Sequence, residues 1–209
     1  MRMFLAAIAM LWAASVAADR AGQFDYYVLA LSWTPTWCAL EGDTRGAEQC
    51  DASRNFGWTL HGLWPQHEIG WPSNCTTSKR DPSRRATSAM ADIMGSGGLA
   101  WHQWKKHGRC ANLTSEDYFA LSRLAYEAVV RPDVLRQLDR PVRLPADVIE
   151  DAFLEVNPEL EPDGLTVTCR DGRVQEVRIC LTRDLEPRTC GSDVIRDCSL
   201  RDALFEPIR

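Results

Sequence analysis

Leu165-Thr-Val-Thr-Cys-Arg-Asp-Gly-Arg-Val-Gln-Glu-Val-Arg-Ile-Cys-Leu181 alternates along both arms around a central Asp171-Gly172. Side chains on a strand point to opposite faces in turn, so alternation marks strands with one buried face. An Asp-Gly pair between two such runs is a two-residue hairpin turn, whose central residues both need positive φ. The segment is therefore expected as an antiparallel hairpin. Upstream, Phe24 to Trp33 (FDYYVLALSW) is aromatic and branched and reads as a buried strand. Phe56, Trp58 and Leu60 face one way on the next segment, and Gly57, Thr59 and His61 the other. Helical spacing lies between these strand regions. One helix is expected near 83–94. A second opens at the cap Thr114, with Asp117 at its third position and Leu121, Leu124, Ala125 and Ala128 following. Pro132 starts a short helical turn. Val148, Ile149, Ala152, Phe153 and Val156 mark a last helix over 146–156, ended by Asn157-Pro158. Strands, then helices, then strands give an α+β domain with an antiparallel sheet. No repeat or linker divides it.

The chain has 209 residues, enough for one sizeable core. Residues 1–18 differ from the rest. Arg2 precedes an apolar run from Met3 to Trp12, and small residues at 15–18 offer a cleavage site, the pattern of a secretory signal peptide. The folded domain is then 19–209, and no later stretch is apolar enough to span a membrane. All eight cysteines fall in that domain. An even count behind a leader implies four disulfides in an oxidising compartment, secreted or periplasmic. Eight cysteines permit on the order of 100 pairings, and spacing alone does not choose. Structural zinc is disfavoured because there is no Cys-x-x-Cys. Net charge is −5, but residues 79–109 carry seven Lys or Arg against Asp81 and Asp92. That local basic patch is expected to steer an anionic substrate.

Chemistry concentrates in His102-Gln-Trp-Lys-Lys-His-Gly-Arg-Cys110, which holds two of the four histidines. Gly97-Gly98 before it and Gly108 after it frame a helix. Gln103 then shares a face with His107, and His102 with Lys106. The two histidines sit about 140° apart around the axis, which is wrong for two metal ligands on one helix. No Asp or Glu cluster stands near for magnesium. A third histidine, His61, lies in Trp58-Thr-Leu-His-Gly-Leu-Trp-Pro65. It is expected at a strand end beside aromatic rings. Trp58 and Trp64 are candidates for stacking on bases, with core packing as the alternative.

Histidines from two segments, one lysine and stacking aromatics suit metal-free RNA cleavage. One imidazole takes the proton of the ribose 2′-hydroxyl and the other protonates the departing 5′-oxygen. Lys106 and an amide donor stabilise the charge on the phosphorane. No cofactor is required.

On these motifs the chain resembles the secreted, acid-type ribonuclease T-two (T2) family. WTLHGLWPQ (58–66) resembles its first active-site segment, HQWKKHGRC (102–110) its second, and LSWTPTWC (31–38) its first-strand motif. The strong resemblance covers about residues 24–130; the C-terminal third is similar mainly in its cysteines. The resemblance implies an endonuclease acting on single-stranded RNA as a monomer, with no membrane attachment after leader cleavage. It implies His107 as general base and His61 as general acid, exchanging roles when the 2′,3′-cyclic phosphate is hydrolysed. His102 would bind phosphate, Lys106 would stabilise the pentacoordinate state, and Trp64 would stack a base. It further implies the pairs Cys75–Cys110, Cys169–Cys198 and Cys180–Cys190, leaving Cys38–Cys50.

Two positions depart from that pattern. Gln103 stands where the family usually has Glu, and Arg109 where Thr is common. Gln cannot exchange a proton, but its amide can donate to a phosphoryl oxygen. It also removes a carboxylate that would favour protonation of His107. An active but slower enzyme is the expectation. The rival expectation is a weak or inactive secreted relative that only binds RNA.

Overall fold

The computed structural model describes residues 19–209. The expected leader, 1–18, lies outside the described residues. Six strands form one sheet: β1 Tyr26–Trp33, β2 Trp58–Gln66, β3 Val142–Leu144, β4 Leu165–Arg170, β5 Arg173–Leu181 and β6 Ala203–Phe205. The order is β2-β1-β5-β6-β3, with β4 also paired to β5. Every pairing is antiparallel except a single parallel contact of β5 with β6. The hairpin forms as expected: Arg170 pairs with Arg173, and Asp171 and Gly172 take φ of 50° and 75°. The α+β architecture follows.

Around the sheet lie α1 (Thr34–Trp37), α2 (Arg84–Ser88), α3 (Ala91–Met94), α4 (Gly97–Lys106), α5 (Ser115–Ala128), α6 (Asp133–Arg136) and α7 (Asp147–Val156). The single helix expected over 83–94 is two short ones. Ser83 caps the first through its hydroxyl, and Gly95, at φ 82°, ends the second. Thr114 caps α5 as expected, its Oγ1 accepting from the Asp117 amide at 3.1 Å. The helical spacing is only partly the buried face: Ala125 is buried and Leu121 packs on the core. Leu124 is 58% exposed, while Tyr118, Phe119, Ser122 and Ala125 are buried. Ser122 is tolerated there because its hydroxyl donates to the Tyr118 carbonyl at 2.7 Å.

Strand alternation divides the sheet into two faces. Leu29, Leu31 and Trp33 of β1, Leu60 and Leu63 of β2, and Val177 and Ile179 of β5 enter the main core with Trp104, Tyr118 and Phe153. The opposite face carries Tyr26, Val28 and Cys180 at one end. Farther along that face, Ser32 meets Glu176. His61 and Glu176 meet on this second face.

Four disulfides staple the domain: Cys38–Cys50, Cys75–Cys110, Cys169–Cys198 and Cys180–Cys190. All four match the pairing that the family resemblance implied. Each such bond stabilises by about 2–4 kcal/mol. No helix among the described residues is long and apolar enough to cross a membrane.

Candidate active site

His61 owes its position to a β-bulge. Ala30 pairs with Gly62 and Leu31 with Leu60, so His61 is the extra residue of β2. Bulges re-aim side chains beside functional sites. Without the extra residue, His61 and Trp64, three apart, would point to opposite faces. With it, Leu60 and Leu63 both enter the core while His61 and Trp64 both reach the cleft.

His61 Nδ1 lies 2.5 Å from Glu176 Oε1. Glu176 projects from β5 and its side chain is only 2% exposed. Its carboxylate also accepts from Ser32 Oγ at 3.2 Å and from Arg178 Nε and Nη2 at 3.1 and 2.9 Å. Burial raises its pKa, but the hydrogen bond and charge of His61, with Arg178, outweigh burial and hold the carboxyl down at about 2. The carboxylate fixes the imidazole tautomer with hydrogen on Nδ1, leaving Nε2 for the cleft.

His107 lies in the opposite environment. It caps the C-terminus of α4 and is 5% exposed. Burial, followed by the charges of Lys106, His61 and His102, lowers its pKa to about 3. Both effects favour its neutral imidazole form. Its Nδ1 is buried without a partner, which leaves Nε2 as the nitrogen available to the cleft.

Trp64 stands between the two imidazoles. Its ring stacks on His107 at 5.3 Å and 26°, and meets His61 edge-on at 5.1 Å and 80°. Its indole N–H donates to Gln103 Oε1 at 2.8 Å, and Gln103 is buried. An indole N–H only donates, so the Gln103 oxygen must face Trp64 and its NH2 faces elsewhere. Gly62 permits this contact. A Cβ there would lie 2.3 Å from Gln103 Oε1 and 2.4 Å from Trp64 Nε1.

The cleft has two lobes that share His61, His102, Gln175 and Glu176. One lobe, about 330 Å³, is walled by Trp64, Gln103, Lys106, His107 and Trp71. The other, about 490 Å³, runs past Ser32 and Leu99 toward Trp37. The Cys75–Cys110 bridge ties the loop after β2 to the turn after α4, holding the two active-site segments together.

Six of the seven expected site residues, His61, Trp64, His102, Gln103, Lys106 and His107, line this cleft. Trp58 does not. It is 2% exposed and packs on Trp33, Phe153 and Phe205, because position 58 falls on the core face of β2. The basic patch also needs correction. Of the seven basic residues in 79–109, Lys106 alone lines the cleft. Arg109 and Lys105 instead turn to Asp81, at 2.7 and 3.9 Å. Glu176, Arg178 and Trp71 were not singled out in the sequence. The available signal was Glu176 and Arg178 alternating on one face of β5, opposite Val177 and Ile179 of the core. Among the described residues, one group of potential metal ligands is tight enough to hold an ion: Cys38, Asp43 and Cys50. Both of its thiols are consumed by their disulfide.

Residues 24–190 match the Ribonuclease T2 family. A ribonuclease of Aeromonas hydrophila is 43% identical over 106 residues, 51% of this chain and 46% of that protein. A probable ribonuclease of Haemophilus influenzae is 31% identical over 180 residues, 80% of this chain and 61% of that protein. These alignments thus span about half to three fifths of the relatives' own lengths. Among solved structures, an RNase-related protein from Calystegia sepium superposes with a TM-score of 0.65 at 21% identity, covering 88% of this chain and 96% of that one. RNase NT in complex with 5′-AMP superposes at 0.60 and 18% identity, covering 88% and 99%. The sequence match and the shared fold agree: this chain belongs to the Ribonuclease T2 family.

Proposed function

We propose that the chain is an endoribonuclease that cleaves single-stranded RNA by metal-independent transphosphorylation, exported to an extracytoplasmic space and acting as a monomer. One observation carries the reading: two imidazoles flank one indole in opposite electrostatic settings, His61 against a buried carboxylate and His107 buried beside cations. Groups whose surroundings push their protonation apart divide acid from base roles.

In this reading, neutral His107 removes the 2′-hydroxyl proton through Nε2. The freed oxygen attacks phosphorus, and Lys106, His102 and the Gln103 amide stabilise the charge on the phosphoryl oxygens. Imidazolium His61, held by Glu176, gives its Nε2 proton to the leaving 5′-oxygen. The product is a 2′,3′-cyclic phosphate, which water opens more slowly to a 3′-phosphate with the histidines in exchanged roles. The base on the 5′ side rests in the Trp64–Trp71 lobe, where both rings border the cavity and Trp71 is 57% exposed. The leaving nucleoside enters the other lobe. The related RNase NT was solved with 5′-AMP, which supports a nucleotide-sized cleft in this fold.

Gln103 favours a second reading, an RNA-binding relative with little turnover, because its carbonyl is committed to Trp64 and it transfers no proton. Incubation with RNA and with DNA, with and without EDTA, separates the two. EDTA-resistant cleavage of RNA alone, lost in His61→Ala and in His107→Ala, supports the enzyme. RNA binding without cleavage supports the binder, and DNA cleavage or EDTA sensitivity overturns both.

A further inference from the structure

The lobe past His61 does not end at the leaving nucleoside. Its outer wall includes two guanidinium groups, Arg45 from the loop after α1 and Arg170 from the end of β4. Glu41 holds both: Arg45 Nη2 is 2.6 Å from Glu41 Oε2, and Arg170 Nη1 bonds Glu41 Oε1. Glu41 itself does not border the lobe, whereas Arg45 and Arg170 do, and Arg170 Nε also lies 3.6 Å from Asp171 Oδ2. Glu48, which does border it, is bound to Arg54. The Cys38–Cys50 bridge fixes the ends of the loop that carries Arg45. The floor includes Thr36, whose buried hydroxyl has no partner within the protein.

Distance separates these arginines from the scissile phosphate. Arg170 pairs with Arg173, three residues along β5 from Glu176. That stretch of β5 contains a bulge, and along β4 Arg170 is two residues past Thr168, the partner of Glu176, roughly 7 Å along the sheet from the carboxylate that holds His61. The arginines are thus displaced from His61 along the sheet, so a phosphate they bind belongs to a nucleotide farther along the strand than the one at His61. Guanidinium forks match phosphate geometry, and each arginine spends only part of its donors on Glu41.

We propose that Arg45 and Arg170 form a phosphate subsite for RNA on the 3′ side, beyond the leaving nucleoside. The subsite makes the enzyme favour oligonucleotides over dinucleotides. This inference rests on the transphosphorylation reading, which places the leaving side in this lobe.

The test uses DNA oligomers with one ribonucleotide, which fixes the cleavage point, followed by one, two or three deoxynucleotides. In the wild type, kcat/KM rises severalfold, up to about tenfold, once a second 3′ phosphate is present. Arg45→Ala and Arg170→Ala bring that ratio toward one, and each lowers the salt slope of binding by about 0.7. All-deoxy versions of the series, read by fluorescence polarisation, report the same length dependence as affinity without needing turnover. A wild-type ratio near one in both assays, or a ratio that neither substitution changes, overturns the subsite. Failure to cleave even the longest substrate instead overturns the underlying enzymatic reading.

Discussion

Replacing Glu176 by Gln removes one charge and almost no volume at the centre of the site. An ordinary glutamate titrates near 4.5, whereas Glu176 is held at about 2 despite its burial. At 1.36 kcal/mol for each pH unit, the site prefers the ionised form by about 3 kcal/mol. His61 and Arg178 share that preference, His61 acting both by hydrogen bond and by charge. Glu176→Gln loses the charge opposite His61 and the carboxylate acceptor that fixes the orientation of its ring. kcat should fall about 10- to 100-fold with KM changed little, because the lost interaction serves the acid step. The stability effect has a defined sign. A lowered carboxyl stabilises above pH 4.5, and that contribution disappears as pH falls through about 2. The assay is initial rate on a single-ribonucleotide oligomer from pH 4 to 9. A variant with kcat within twofold of wild type across that range would refute the assignment of Glu176 as the residue that positions His61.

Four further outcomes follow from other contacts. Gln103→Glu should move the acidic limb to higher pH, because a carboxylate beside His107 opposes the burial and cations that hold it near 3; an unmoved limb in a pH series sinks this. Gly62→Ala should cost about 1–3 kcal/mol by overpacking and break the Trp64–Gln103 hydrogen bond; wild-type melting and rate would contradict the close approach. Trp58→Ala should lose about 3–5 kcal/mol of stability in denaturant titration, whereas Trp64→Ala should mainly raise KM; equal effects would undo their separation into core and cleft. Burial, then the charge of Asp197, raises Glu150 to about 7, so wild type should be more stable at pH 5 than at pH 8. The favourable term is complete below 4.5 and lost as pH rises through 7, and Glu150→Gln should abolish the difference in melting temperature.

The readable parts of this protein are those set by local pattern. Asp171-Gly172 announced its hairpin because few residue pairs take two successive positive φ values. His102, Gln103, Lys106 and His107 were legible because one short helix carries them all. Leu124 is exposed because periodicity marks a face without saying which neighbours cover it, and Ser122 takes a buried place through a hydrogen bond to its own helix. Trp58 and Trp64 looked alike until the bulge at His61 turned one to the core and the other to the cleft. Glu176 was invisible for a different reason. Its partner is 115 residues away in sequence, and only the β1–β5 and β1–β2 pairings bring the two together. Arg45 and Arg170 share that long-range origin. Their loops meet through Glu41, and no local pattern connects them.

In the proposed reaction His107 and His61 transfer protons to and from RNA itself. Mass analysis of the first-formed products from a single-ribonucleotide oligomer, in EDTA, tests it most directly. One fragment should end in a 2′,3′-cyclic phosphate and the other begin with a 5′-hydroxyl, and neither product should form with His61→Ala or His107→Ala. Fragments bearing a 5′-phosphate and a 3′-hydroxyl, or cleavage that survives either substitution at the wild-type rate, would contradict it.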